Sequence, residues 1–307
     1  MPTYIAYHLT IDSALILPEL VEVGEGSQAP EIIIRLGVVD RPITAHGIGK
    51  NCLEATPRRV CFGWEQVGLF LVQNGNEIVI EPALQVEESA LRLYLLGPAF
   101  ATLLHQRGFL VLHASAVALN GSGVGFLGGS GWGKSTLAAV FQAGGHALIA
   151  DDVIAVDTGQ DAAPYVFPAF PQIKLWPEAA EAIGADPQTL VSLHPNLEKR
   201  ARRVAETFNL EPYPLTRLYI LAEHDQPEPE IARLAPQVAL LELVRHSFLA
   251  RLLPATGTSE SHFRQCAGLV QRIPVCVLRR RRVLADLADL ARAIETDLLS
   301  PSENNAD

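Results

Sequence analysis

The chain has 307 residues, enough for one large domain or two modest ones. With 49% hydrophobic and 19% charged residues, its composition is that of an ordinary soluble globular protein. A formal charge of −10 argues against a protein that coats nucleic acid, because phosphate-covered partners need a basic excess. Two basic runs stand against this trend, Lys199-Arg200-Ala201-Arg202-Arg203 and Arg279 through Arg282, and each reads equally well as a functional patch or as a solvated surface or dipole-compensating helix end.

Residues 1–85 read as a β-rich region. Short apolar runs lie at 31–36, 60–64 and 68–72, and Asn74-Gly75-Asn76 is a hairpin turn leading into Glu77-Ile78-Val79-Ile80. Proline and glycine clusters at 24–30 and 41–49 read as loops. A second unit spans 86–300. It starts with a helix from near Glu87 to Arg107-Gly108, where Gly108 supplies the stop. Gly97-Pro98 and Arg92 interrupt its apolar stretch, so it reads as a buried helix and not a membrane span. Strands follow at 109–112, 115–119 and 124–127, the last two joined by the turn Asn120-Gly121-Ser122-Gly123. A helix from Thr136 stops at Gly144-Gly145. A buried strand at 147–150 then delivers Asp151-Asp152 to its carboxyl end, the rim where open α/β sheets place ligands. Residues 168–177 read as irregular, 215–222 and 275–278 as strands, and 238–253, 259–271 and 284–298 as helices, so the last third looks helical. The polar tail 301–307 reads as disordered. The four cysteines, Cys52, Cys61, Cys266 and Cys276, match no zinc spacing and suit reduced thiols in a cytoplasmic protein. The N-terminus does not read as a signal peptide.

The chemistry centres on Gly128-Gly129-Ser130-Gly131-Trp132-Gly133-Lys134-Ser135, followed by Thr136. A glycine, four residues, then Gly-Lys-Ser between a strand and a helix is a phosphate-binding loop of the Walker A type. Its backbone N–H groups point at phosphate oxygens, and the helix N-terminus adds its positive end. Lys134 would reach the β- and γ-phosphates of ATP, and Ser135 would hold Mg²⁺. Adjacent carboxylates at a strand end diverge, so one of Asp151 and Asp152 can serve the metal while the other faces a phosphoryl acceptor. His113, at the junction of two strands, is a candidate to orient or tune that base. Lys174, Arg200 and Arg203 are candidate contacts to the transferred phosphate, whose charge spreads over its oxygens. Arg245 is a weaker candidate that could pair with Glu242.

The span His113-Ala-Ser-Ala-Val, the loop with its Ser-Thr-Leu continuation, and Ile149-Ala150-Asp151-Asp152-Val153 together resemble the catalytic core of the HPr serine kinase/phosphorylase family. That family shares its nucleotide-binding fold with ATP-dependent phosphoenolpyruvate carboxykinases. The close match covers about residues 109–157, and the wider layout is similar to HPr-kinase-like proteins, including lasso-peptide precursor kinases. The resemblance implies an α/β fold and an ATP- and Mg²⁺-dependent serine kinase whose acceptor is a peptide or small protein. Asp151 would then be the base, supported by His113, Lys134 would bind the transferred phosphate, and Ser135 with Asp152 would bind the metal. The chain departs from the family between Phe167 and Trp176, which offers Gln172 and Lys174 but no carboxylate for the metal. A small-molecule phosphotransferase on the same core and a nucleotide-gated binding protein are the alternatives. Nothing in the sequence indicates a nucleic-acid or membrane partner, or an oligomeric state.

Overall fold

A computed structural model describes residues 1–24, 29–40, 51–159, 162–194 and 197–299. The loop at 41–49, most of that at 24–30 and the tail at 301–307 lie outside the described residues. The described residues form a mixed α/β structure with three sheets.

Residues 3–82 contribute eight strands to the first sheet. Alternation does the sorting: in Ile32–Leu36, Ile32 and Ile34 are buried while Ile33 points outward. The expected hairpin is present. Gly68–Gln73 and Glu77–Pro82 pair antiparallel, and Asn74 and Gly75 both take left-handed φ values, +55° and +66°. The apolar face of this sheet packs on a helical segment made of Glu88–Tyr94, a π-turn at Leu95–Ala99, and Phe100–Gln106. Pro98 has no N–H to give the ladder, and it sits inside this wider turn. Gly108 ends the segment at φ +89°.

The central sheet carries Ala147–Ala150, Ala114–Leu119, Ser122–Leu127, Tyr213–Glu223, Val275–Arg280 and Glu230–Arg233 in that spatial order. Ser122–Leu127, Tyr213–Glu223 and Val275–Arg280 run parallel, so their carboxyl ends share one rim. Gly125 lets the neighbouring strand approach, since a Cβ there would lie 2.6 Å from a Leu218 methyl. Helices Lys134–Ala143 and Leu287–Leu299 cover one face through Phe126, Leu137, Phe141, Tyr219, Leu278 and Leu290. The other face belongs to a core that runs without a break from Tyr4 and Ile32 through Leu103 to Ile154, Leu218 and Leu269. The N-terminal region also reaches the central sheet by a turn. Tyr7 and His8 have φ values of +53° and +61°. The Tyr7 N–H donates to the Pro168 carbonyl at 2.7 Å, and its hydroxyl donates to the Val153 carbonyl at 3.1 Å.

Some elements differ from expectation. The stretch 168–177 is not wholly irregular: Gln172–Leu175 is a strand, paired antiparallel with Leu197–Arg203 in a three-stranded sheet. The first basic run is therefore a strand and not a helix end. The helix expected at 238–253 is Pro236–Arg245; beyond it Ser247 bridges to Leu112 and Phe248 packs against the core. Strand pairing at that point outweighs the helical pattern of the sequence. No helix of the described residues is long and apolar enough to cross a membrane. The four cysteines are buried and free.

Candidate active site

The glycine-rich loop leaves the carboxyl end of Ser122–Leu127. Gly131 and Gly133 hold φ values of +76° and +84°, and Gly133 caps the helix that begins at Lys134. The Trp132 indole folds back over Gly129, where a Cβ would meet its ring at 2.8 Å. The second basic run braces the outside of the loop. Arg280 donates to the Trp132 carbonyl. Arg282 donates to the Gly131 carbonyl at 2.8 Å and lies 5.6 Å from the Trp132 ring centroid. Lys134 Nζ donates to the Gly128 and Gly129 carbonyls at 2.9 and 3.1 Å. Burial pushes its ammonium pKa down; Asp152 and Asp151 oppose the shift and Lys199 adds to it.

The two aspartates lie at the end of Ala147–Ala150, and Asp152 has a left-handed φ of +78° that turns the chain sharply there. Asp151 is 3% exposed. Its Oδ1 accepts from Ser115 Oγ at 2.6 Å and Ser135 Oγ at 2.7 Å, and its Oδ2 accepts from the Lys174 N–H at 2.8 Å. Asp152 is partly open. Lys174 Nζ donates to its Oδ2 at 2.9 Å, and His113 Nδ1 lies 3.2 Å from its Oδ1 and 3.0 Å from its carbonyl oxygen. Burial alone would push the Asp152 carboxyl up, but the Lys174 ammonium and the His113 ring hold it well below the usual range. Lys174 is in turn raised: burial would lower it, and the carboxylates of Asp152, Asp151 and Glu19 prevail.

In this geometry His113 stands beside Asp152, while the loop serine stands beside Asp151. Three donors already occupy the Asp151 oxygens, so this carboxylate is committed to holding the loop and the strand Gln172–Leu175 together.

Two hollows meet at Asp152. The smaller, about 120 Å³, lies between the loop residues Ser130 to Thr136 and His113, Asp152, Lys174, Trp176 and Lys199. The larger, about 770 Å³, opens against Gly128, Gly129 and Trp132 and is walled by Leu221, Val238, Phe248, Glu242, Arg245 and His246. His113, Trp132 and Asp152 line both, and Asp151 lines neither. Within the larger hollow, Arg245 donates to Glu242 at 3.0 Å as expected, and the His246 ring is 3.5 Å from the same carboxylate. Burial, with Lys134 and His113 adding to it, lowers the His246 pKa to about 4, so its ring is neutral near pH 7.

Of the first basic run, Lys199 lines the loop hollow, 5.7 Å over the Trp176 ring, and neither Arg200 nor Arg203 does. Arg203 instead donates to the Pro18 carbonyl. Sequence reasoning did not place Ser115, Lys199, His246, Arg280 or Arg282 at the site, although it singled out the two basic runs that carry Lys199, Arg280 and Arg282. Ser115 lies two places after His113 in the strand register.

Among the described residues no three His, Cys, Asp or Glu side chains cluster to hold a metal. Ser135 Oγ, which lines the loop hollow, is a hard oxygen of the kind Mg²⁺ takes when it fills the rest of its shell with phosphate and water, whereas Asp151 is buried and already accepts three hydrogen bonds.

No family model and no curated protein matches the chain. Among solved structures it is similar to the Hpr(Ser) kinase/phosphatase from Coxiella burnetii. The identity is 14% over 61% of this chain and 87% of that one, with a TM-score of 0.33. A likeness this distant says nothing about chemistry.

Proposed function

We propose that the protein is an ATP-dependent kinase that transfers the γ-phosphate to a serine hydroxyl of a peptide or small protein. One observation carries this reading: Asp152, with His113 beside it, is the carboxylate that borders both the loop hollow and the larger cavity. A donor phosphate held by the loop and an acceptor entering through the cavity would meet at that side chain.

In this reading the loop N–H groups and Lys134 cradle the phosphates, and Lys199 and Lys174 add positive charge on the opposite wall. Ser135, which lines the loop hollow, would hold Mg²⁺, which would supply charge neutralisation on the phosphate oxygens. The acceptor hydroxyl donates to Asp152 as its oxygen bonds to the γ-phosphorus. The bridging P–O bond breaks, its electron pair leaves on ADP, and the hydroxyl proton passes to the carboxylate. The serine acceptor itself rests on the sequence resemblance, and a cavity of about 770 Å³ has room for a peptide segment around it.

The test is incubation of the protein with Mg²⁺, ATP and a library of proteome-derived peptides, read by phosphoserine mass spectrometry. Asp152→Asn is expected to lose at least about a hundredfold in kcat, the usual scale of a general base, while still binding ATP. Absence of any phosphoserine, or unchanged turnover in Asp152→Asn, would sink the assignment.

A further inference from the structure

We propose that a cavity of about 640 Å³, between the helices Phe100–Gln106 and Ser259–Arg272 and the end of the strand Ile154–Asp157, binds a free amino acid with an apolar side chain. The inference goes beyond the kinase reading. No residue of the glycine-rich loop lines this cavity, and neither does Asp151 or Asp152.

Two opposite charges are held on either side of one residue. Asp157 Oδ1 accepts from the Gly159 N–H at 2.9 Å, and Arg272 Nη1 donates to the Gly159 carbonyl at 2.8 Å. Arg272 also donates through Nη1 to the Ala162 carbonyl and through Nε to the Gly268 carbonyl, each at 2.9 Å. Among the described residues no ion pair joins Asp157 to Arg272, and Asp157 Oδ2 and Arg272 Nη2 have no partner. Both side chains line the cavity, while its third charged group, Arg264, is paired with Glu260. One carboxylate and one guanidinium that do not neutralise each other suit a ligand carrying both signs, with its ammonium on Asp157 and its carboxylate on Arg272.

His105 adds an acceptor. Thr256 Oγ1 gives its hydrogen to the Leu252 carbonyl at 3.0 Å, so Thr258 Oγ1, 2.8 Å away, donates to it and accepts from His105 Nε2 at 2.7 Å. Burial, with His262 adding to it, lowers the His105 pKa to about 4, so the ring is neutral near pH 7. Its Nδ1 then carries a lone pair that meets no donor among the described residues, and an ammonium can fill it. Pro57, Val60, Leu249 and Leu252 supply an apolar wall for the ligand's side chain. Gly268 keeps the space open. It lies inside the helix Ser259–Arg272, where glycine is unfavourable, and a Cβ there would come within 3.2 Å of Arg272 Nη2. The volume is that of a small-molecule site.

Calorimetric titration of the full chain, without nucleotide, with L-leucine, N-acetyl-L-leucine and L-leucinamide tests the site. L-leucine is expected to bind with a Kd on the order of 1 mM or tighter, and each analogue, lacking one charge, at least about tenfold more weakly. Asp157→Asn keeps an oxygen for the Gly159 N–H at an exposed position, so it should leave the urea midpoint unchanged and weaken L-leucine about tenfold. Gly268→Leu, which fills the cavity beside Arg272, should abolish binding. Equal affinity for L-leucine and its two analogues, wild-type affinity in Asp157→Asn, or no binding of L-leucine, L-valine or L-phenylalanine overturns the proposal. ATP binding and phosphoryl transfer are read separately, so none of these outcomes bears on the kinase reading.

Discussion

Replacing Asp151 by Asn keeps the shape of the side chain and removes one acceptor from a site that has only donors. The carboxylate takes hydrogen bonds from Ser115 Oγ, Ser135 Oγ and the Lys174 N–H, at 2.6, 2.7 and 2.8 Å, with 3% exposure. An amide can keep its oxygen toward the serines, but its NH₂ then faces the Lys174 N–H, and a buried backbone donor is left without a partner. In the flipped amide, both hydroxyls must turn their hydrogens elsewhere. An unsatisfied buried donor costs about 1–3 kcal/mol, and a hydrogen bond to a charged group is worth about 1.5–3 kcal/mol, part of which survives to a neutral oxygen. The expected loss is therefore about 2–4 kcal/mol, read as a lower urea midpoint at unchanged m-value. Ser115→Ala in the same assay removes one bond and should cost roughly half as much or less. If Asp151→Asn unfolds at the wild-type midpoint, the carboxylate does not hold three donors, and the case for Asp152 rather than Asp151 as the acceptor's base loses its footing.

Two further outcomes follow from the geometry. His246 and His105 are both lowered from 6.5 to about 4, mainly by burial, so the unfolded chain binds more protons than the folded one between those values. Stability is then full above about pH 6.5 and falls as the pH drops toward 4, on the order of 3 kcal/mol for each ring. Urea titrations at pH 7 and 4.5 should show His105→Gln with a shallower loss than wild type, and an identical loss would refute the account. Arg280→Ala removes the donor that ties the strand Val275–Arg280 to the Trp132 carbonyl. A loop without that brace has to be ordered by the ligand, so ATP affinity should fall about tenfold by titration with little change in urea midpoint. An unchanged affinity would show that the loop holds its shape alone.

How much of the site was legible in the sequence depends on how local each feature is. Gly128 to Ser135 was legible because a loop between a strand and a helix is written in consecutive residues. The strand carrying Asp151-Asp152 was legible for the same reason. Which carboxylate faces the hollow was not, because that depends on the left-handed turn at Asp152 and on Lys174 arriving from another sheet. Gln172–Leu175 hid behind its prolines, and its partner strand hid behind five consecutive residues of which four are basic. Their pairing, Lys174 opposite Ala201, is a long-range contact that no local propensity reports. The same holds for Arg280 and Arg282, whose role as a brace exists only because Val275–Arg280 runs parallel to Tyr213–Glu223, itself parallel to the loop strand.

The Tyr7 turn bears on how this protein could be shortened or recombined. A chain beginning near residue 86 would keep the loop, both aspartates and His113, yet it would strip the hydroxyl from the Val153 carbonyl and the N–H from the Pro168 carbonyl. The first of these anchors sits one residue from Asp152. Swapping the N-terminal sheet for that of another protein would therefore remove both supports from behind the aspartate pair unless the exchange brought equivalent donors to the same spot.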